Sequence, residues 1–145
     1  NDRFGHQTGN IVLRQIASRL SERVRLCDVF GRIGGDEFLV VLPHTARREA
    51  YVLAERLREA VEDYRLTIDE SSKVDSVRLS VGVAAFPANG DNMEAVITAS
   101  DDAVYQSKAE GGNRVTIAGE IRAPEPGAAG SARGDTVGAK TEDGQ

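Results

Sequence analysis

The 145-residue sequence has a single cysteine, Cys27, so no internal disulfide can form. Such sparing cysteine use fits a reducing compartment, and the expected location is cytoplasmic. No pairing histidine is evident in sequence, so Cys27 is read as a small apolar packing residue and not as a nucleophile. No apolar run approaches the roughly 20 residues that span a bilayer, and no membrane segment is expected. No signal peptide is visible, and no internal repeat is found. A basic stripe is also missing: 18 Lys and Arg face 23 Asp and Glu, for a net charge of −5 and a pI near 5.1. That balance argues against a nucleic-acid partner.

What is present is ordinary for a globular protein, with 40% hydrophobic and 28% charged residues. The length suits one domain with a real core. Asn1 to Gly9 reads as a polar, glycine-punctuated loop. Ile11, Val12, Leu13, Ile16, Ala17, Leu20 and Val24 then recur at helical spacing, with Thr8 or Gly9 as the expected cap. A second apolar stripe runs through Ala50, Leu53, Ala54, Leu57, Ala60, Val61 and Tyr64, with Thr45 as its expected N-cap. Leu66 to Ile68 and Val77 to Phe86 read as strands joined by a polar loop, Asp69 to Asp75. Asp91 or Asn92 is placed to cap a helix reaching about Glu110, which Gly111-Gly112 stops. Val115-Thr116-Ile117 is a short final strand. From Gly119 the composition shifts to Gly, Ala, Pro, Thr and charge without periodicity, which predicts a disordered tail over 119–145 behind a domain over 1–118. Strands alternating with helices predict an α/β or α+β sheet with helices packed on it.

The chain is organised around Arg32-Ile33-Gly34-Gly35-Asp36-Glu37-Phe38. An alternating stretch, Val29 to Ile33, runs in, and the apolar run Phe38 to Leu42 runs out. Two β-type segments around a glycine pair predict a hairpin with the acids at its tip. Glycine tolerates positive φ and lets another group approach bare backbone. Adjacent carboxylates at such a tip suit a divalent cation and a proton acceptor beside a phosphate. They equally suit a plain tight turn with solvated acids, and the residues of the turn alone leave both readings open.

The surrounding motifs break that tie. Asn1-Asp2-Arg3-Phe4-Gly5-His6 resembles the Asn-Asp-x-x-Gly-His of the GGDEF (diguanylate cyclase) family. Arg25-Leu26-Cys27-Asp28 resembles its Arg-x-x-Asp inhibitory motif, and Ser80-Val81-Gly82-Val83-Ala84 its Ser-x-Gly-Val-Ala strand. Asp101 to Lys108 resembles its Asp-x-Ala-x-Tyr-x-x-Lys helix. With Gly34 to Phe38 the matches run in order from Asn1 to about Ile117.

The resemblance implies a ferredoxin-like, palm-type domain with a mostly antiparallel central sheet flanked by helices. It implies condensation of two GTP to cyclic di-GMP with loss of pyrophosphate, by a homodimer in which each site holds one GTP. Carried over by position, Asp36 is a ligand of Mg²⁺ (or Mn²⁺), and Asp36 or Glu37 helps remove the hydroxyl proton. Gly34 and Gly35 bring backbone close to the phosphates. Asn1 and Asn10 read guanine, His6 lies in the same loop, and Lys108 reaches toward phosphate as a point charge. Arg25 and Asp28 belong to a product-inhibition site that binds cyclic di-GMP, with a surface ion pair as the plain alternative. Arg56 matches an arginine that completes that site from a neighbouring domain in some relatives.

The sequence departs from the family pattern in three places. The family's first strand, which carries an Asp-x-Asp-x-Phe-Lys-type motif and a metal-binding aspartate, would precede Asn1, so this chain alone is expected to be inactive. Asn10 stands where Asp is usual, and Gly112 where an arginine usually contacts phosphate, with Arg114 two residues on. These departures keep a second expectation open: a catalytically degenerate module that binds cyclic di-GMP or a nucleotide as a sensor.

Overall fold

The computed structural model describes residues 5–67, 73–74 and 77–120, with the side chains of 5–7 and 73–74 outside that description. Residues 1–4, and 121–145 of the tail predicted over 119–145, also lie outside it. The fold is α+β, as expected. In chain order the elements are α1 (Gly5–Ser21), β1 (Val29–Gly34), β2 (Glu37–Val41), α2 (Arg47–Glu62), β3 (Leu66–Thr67), β4 (Lys73–Val74), β5 (Val81–Val83), α3 (Met93–Ala109) and β6 (Val115–Ile117). Among the described residues the strands pair as separate two-stranded ladders: β1 with β2 and β3 with β4 antiparallel, β5 with β6 parallel.

Helix α2 is the spine. Its Leu57 and Val61 meet Ile16 and Leu20 of α1 and the fully buried Leu66, with Phe30 and Phe38 of the hairpin packed against the same cluster. Burying side chains of this size stabilises the fold by about 1.5–3 kcal/mol each. One turn earlier, Ala54 meets Val83 and Val115, with Val81 and Ile117 alongside. Small residues at 50 and 54 let the β5–β6 pair lie close to the helix axis. Phe30 and Phe38 stack, with centroids 5.5 Å apart and planes 13° apart. They sit diagonally across the ladder, since Phe30 pairs with Val40 and Phe38 with Arg32. The last residue of the Gly-Gly-Asp-Glu-Phe stretch therefore anchors the hairpin to the helices.

Several sequence expectations are corrected. Helix α1 begins at Gly5, not near Thr8 or Gly9, so 5–9 is helix and not loop. Polar residues in a first turn interrupt no apolar stripe, and periodicity is blind to them. The backbone N–H of Ala46, the residue before α2, donates to Glu49 Oε2 at 3.1 Å, whereas Thr45 Oγ1 turns back to Pro43 O at 3.0 Å. Ala46 and not Thr45 is the N-cap residue, and the Glu49 carboxylate supplies the satisfaction that Thr45 was expected to give. Strand β4 falls inside the expected polar loop. The long strand expected over 77–86 shrinks to Val81–Val83, because Val77 and Leu79 pack into the α1–α2 cluster instead.

Other expectations hold. Asn92 caps α3, its side chain accepting from Ala95 N at 2.9 Å. Gly111 and Gly112 end that helix at φ of 105° and 71°, a region open to glycine, with Gly112 N donating to Ser107 O at 2.9 Å.

Two side-chain amides tie distant segments together. Gln15 donates from Nε2 to Thr67 O at 2.6 Å and accepts from Thr67 N at 3.4 Å, acting as a strand partner for β3. Asn89 accepts from Ala85 N and donates to Ala118 O. Gly82 is where β5 crosses α3: a Cβ there would lie 2.1 Å from Ser100 O and 2.7 Å from Val104 N. Only glycine fits that crossing.

Candidate active site and arginine-lined cavity

The hairpin is as the sequence predicts, with a register shift between Arg32 and Gly34 that leaves Ile33 unpaired. Gly34 pairs with Glu37, so Gly35 and Asp36 form a two-residue turn. Neither Gly34 nor Gly35 has a φ in the left-handed region, so the turn itself does not require glycine on conformational grounds. Access is the better account. A Cβ on Gly35 would meet nothing within 4 Å, and one on Gly34 would stand 3.4 Å from Glu37 Oε2. Asp36 and Glu37 are both exposed, and among the described residues neither makes an ion pair.

Magnesium is commonly held by one or two carboxylates, with substrate phosphates and water completing its shell. Asp36 and Glu37 supply such a pair of hard oxygen donors on adjacent residues. Among the described residues no group of three or more His, Cys, Asp or Glu is placed to hold a metal. The donor set at the hairpin tip thus fits a cation that shares its shell with phosphate.

Arg32 is a residue that motif reading passed over. Its Nη2 donates to Gly35 O at 2.6 Å, and its Nε donates to Gly35 O at 3.0 Å and Gly34 O at 3.4 Å. Nothing in the sequence marks it, because its acceptors are main-chain carbonyls and the bulge at Ile33 shows only in the structure.

The remaining substrate-site residues are spread over other elements. Asn10 is exposed on α1, and Lys108 is exposed in the last turn of α3. His6 lies in the first turn of α1 with its side chain outside the described residues, and Asn1 is wholly outside them. Next to Lys108, Ser107 is fully buried and donates to Val81 O at 3.0 Å, which fixes the rotation of that turn on the sheet. Arg114 pairs with Glu110 on the same face. Its charge is therefore engaged by Glu110, two residues from Gly112, where an arginine is usual in the family.

At the other end of the hairpin lies a cavity of about 610 Å³. It is lined by Arg23, Arg25, Asp28, Arg48 and Arg56 over an apolar floor of Val24, Leu42, Val52 and Leu53. The structure thus brings Arg25, Asp28 and Arg56 together within one chain. Asp28 Oδ2 accepts from Arg25 N at 2.7 Å, and Asp28 N donates to Arg25 O at 3.0 Å, closing a tight turn. Among the described residues the Arg25 guanidinium forms no ion pair with Asp28, so the surface-pair alternative is not what the turn contains. Arg23 and Arg48 are cavity residues that the sequence reading missed, because no motif marks them. Cys27, expected as a packing residue, is exposed, with Sγ 3.8 Å from Asp28 Oδ1. The turn that orients Arg25 and Asp28 points the residues between them outward, and Leu26 is fully exposed beside it.

An α+β domain with a glycine–acid hairpin at one end and an arginine-lined cavity at the other is the class of protein these features define. The family model described as "Diguanylate cyclase, GGDEF domain" matches residues 1–114, and the chain belongs to this family. Response regulator PleD of Caulobacter vibrioides is 43% identical over 115 residues, covering 79% of this chain and 25% of that protein. Diguanylate cyclase A of Treponema denticola is 36% identical over 117 residues, covering 81% of this chain and 31% of that protein. The chain thus spans about a quarter to a third of the length of these relatives. Among solved structures, the GGDEF domain of PA1120 (YfiN or TpbB) from Pseudomonas aeruginosa matches with a TM-score of 0.76 at 28% identity, over 84% of this chain and 74% of that one. The GGDEF domain of DgcB from Caulobacter crescentus, in complex with c-di-GMP, matches with a TM-score of 0.74 at 32% identity, over 83% of this chain and 70% of that one. Among the described residues no helix is long and apolar enough to cross a membrane.

Proposed function

We propose that the chain is the C-terminal part of the catalytic domain of a diguanylate cyclase, a protein that condenses two GTP to cyclic di-GMP and pyrophosphate in the cytoplasm. The observation that carries this reading is the exposed, unpaired Asp36–Glu37 couple on a turn whose glycines leave backbone uncovered. Asp36, with Glu37 beside it, would hold Mg²⁺ or Mn²⁺. When bound, such an ion neutralises negative charge developing at the reacting phosphate. Gly34 and Gly35 let the nucleotide phosphates approach main chain. Glu37 or Asp36 accepts the proton of the attacking 3′-hydroxyl, and neither carboxylate is tied up by a Lys or Arg ion pair among the described residues. Asn1 and Asn10 contact the base, with His6 in the same segment, and Lys108 supplies a positive charge toward phosphate. Each domain holds one GTP, so turnover needs two domains face to face.

The test is turnover of GTP by the full-length protein. Asp36→Ala should abolish kcat, because it removes a ligand to the cation and not a binding contact alone. Glu37→Gln should also be severe. Near-normal kcat in Glu37→Gln would move proton acceptance to Asp36 or to solvent.

The arginine-lined cavity favours a second reading, in which the domain binds cyclic di-GMP whether or not it makes it. Planar guanidinium groups donate in pairs to guanine edges and phosphate, and a carboxylate accepts from the base. Calorimetry should show cyclic di-GMP binding that Arg25→Ala removes. Binding without turnover would select the sensor module over the cyclase, and equal affinity in wild type and Arg25→Ala would remove the cavity from both.

A further inference from the structure

We infer that Arg32 is the positioning residue of the acidic turn: its guanidinium clasps the carbonyls of Gly34 and Gly35 and so sets the direction in which Asp36 and Glu37 are presented. The inference rests on the proposed cyclase reading for its catalytic consequence, but not for its structural part.

Its basis is local and specific. Strand β1 carries an extra residue, Ile33, between the paired Arg32 and Gly34. A bulge bends the strand and loosens the ladder where the turn begins. Glycines at 34 and 35 add further backbone freedom, and no side chain packs against Gly35. A turn so built has little to hold it. Arg32 supplies what the ladder lacks, through Nη2 and Nε on Gly35 O and a longer contact from Nε to Gly34 O. Charge-assisted hydrogen bonds of this kind are stronger than neutral ones, and a planar fork can bridge neighbouring acceptors where an ammonium cannot.

The direction of the guanidinium matters as much as its contacts. It donates to main-chain carbonyls, and among the described residues it makes no ion pair with Asp36 or Glu37, the acids one turn away. An arginine paired with either acid would compete with a cation and hold the proton acceptor in its ionised form. Directed at the carbonyls, the same side chain fixes the Gly34–Gly35 and Gly35–Asp36 peptide planes that lead into the acids and leaves the acids' oxygens uncommitted. Arg32 touches neither substrate nor cation in this role; it acts through the turn.

The experiment compares wild type, Arg32→Ala and Arg32→Lys by amide hydrogen exchange resolved at single residues. Exchange at Gly34, Glu37 and Phe38, the ladder residues that border the turn, should quicken by about fivefold or more in Arg32→Ala, the loss expected for one charge-assisted contact at an exposed site. Arg32→Lys should recover only part of that protection. Amides of α2 and α3 should be unchanged, which reports that the chain is still folded. Unchanged exchange at Gly34, Glu37 and Phe38 of a folded Arg32→Ala overturns the inference whatever the activity. In the full-length protein, Arg32→Ala should lower kcat on the order of 10- to 100-fold, the cost of a misplaced reacting group. It should raise the Mg²⁺ concentration needed for half-activation while leaving KM for GTP within about threefold of wild type. A loss confined to KM would make Arg32 a substrate contact and would also overturn the inference. Should wild type show no turnover, the cyclase reading fails alone, and the exchange result still decides the clasp.

Discussion

Replacing Gly82 by alanine should be among the most damaging single-methyl additions in this fold. The new Cβ would sit 2.1 Å from Ser100 O, 2.7 Å from Val104 N and 2.9 Å from Val104 Cγ2. Two of those atoms are main chain of α3, so no rotamer change relieves the contact. Relief requires α3 to move off β5 by more than an ångström. That would disturb the buried Ser107 hydroxyl, held by Val81 O at 3.0 Å and Thr116 Oγ1 at 2.7 Å. Overpacking a core typically costs about 1–3 kcal/mol. With main chain on the receiving side, the upper end of that range applies, about 3 kcal/mol or more. A domain of ordinary stability, about 5–15 kcal/mol, would lose a large fraction of it. Gly35→Ala is the internal control. It adds the same methyl where nothing lies within 4 Å, at a φ outside the left-handed region, and should cost under about 1 kcal/mol. Urea unfolding followed by far-UV circular dichroism measures both. A midpoint for Gly82→Ala within about 1 kcal/mol of wild type would show that the crossing of β5 and α3 is looser than drawn, and the close-approach argument would fail. If Gly35→Ala proved the more destabilising, the turn would need glycine for its backbone after all.

Asn92→Ala removes the side chain that accepts from Ala95 N at 2.9 Å and should cost about 1 kcal/mol in the same unfolding assay. The Arg58 guanidinium first, and the Asn113 amide second, hold the Glu62 carboxyl below its ordinary value. Because the folded value is the lower one, the stability Glu62 contributes is present above the ordinary carboxylate range and is lost as pH falls through the folded value. Stability measured across the acid range should therefore rise with pH, and Glu62→Gln should flatten part of that slope. For base selectivity, Asn10 offers one acceptor and one donor to a guanine edge that presents donors. In the proposed cyclase Asn10→Asp should raise kcat/KM for GTP over ATP by about 5- to 150-fold, the range of one mismatched buried hydrogen bond. An unchanged GTP/ATP ratio, measured with both nucleotides on both variants, would remove position 10 from base recognition.

What the sequence made legible follows from the reach of each signal. Periodicity found α1, α2 and α3 because an apolar stripe is a many-residue pattern. The hairpin was legible because glycines between two β-type runs admit few alternatives, and Val115–Ile117 because a helix stop precedes it. Boundaries failed where a side chain from elsewhere did the work. Glu49, not Thr45, satisfies the start of α2, and Gln15 holds β3 from another element altogether. Val77 and Leu79 looked like strand because they alternate, yet alternation also suits a segment that drops side chains into a helix pair. At the candidate site, motifs marked the acids but not the residue that presents them. Arg32 bonds only to backbone, and hydrogen bonds to backbone leave no pairing pattern in a sequence. Arg23 and Arg48 escaped for a related reason: their shared cavity arises from the fold of α2 against the hairpin base.

The geometry also constrains how cavity and acidic turn can communicate. Asp28 lies just before β1 and Leu42 just after β2, so the cavity touches the open end of the hairpin whose closed end carries Asp36 and Glu37. At about 3.4 Å per residue the strands separate the two ends by roughly 20 Å. That exceeds the Debye length of about 8 Å at physiological ionic strength, so an anion in the cavity exerts little direct electrostatic pull on the exposed acids. Nor can a ligand in the cavity touch both ends. The hairpin joins the two ends, and its inner face is pinned to α1 and α2 through the stacked Phe30 and Phe38. A pinned ladder transmits tilt poorly, because bending it would unstack those rings and open the cluster of Ile16, Leu20, Leu57, Val61 and Leu66. In the proposed cyclase, occupancy of the cavity is therefore placed to act on the domain as a whole and not by reshaping the acidic turn of its own chain. Inhibition of that kind lowers kcat while leaving the affinity of the single domain for GTP intact.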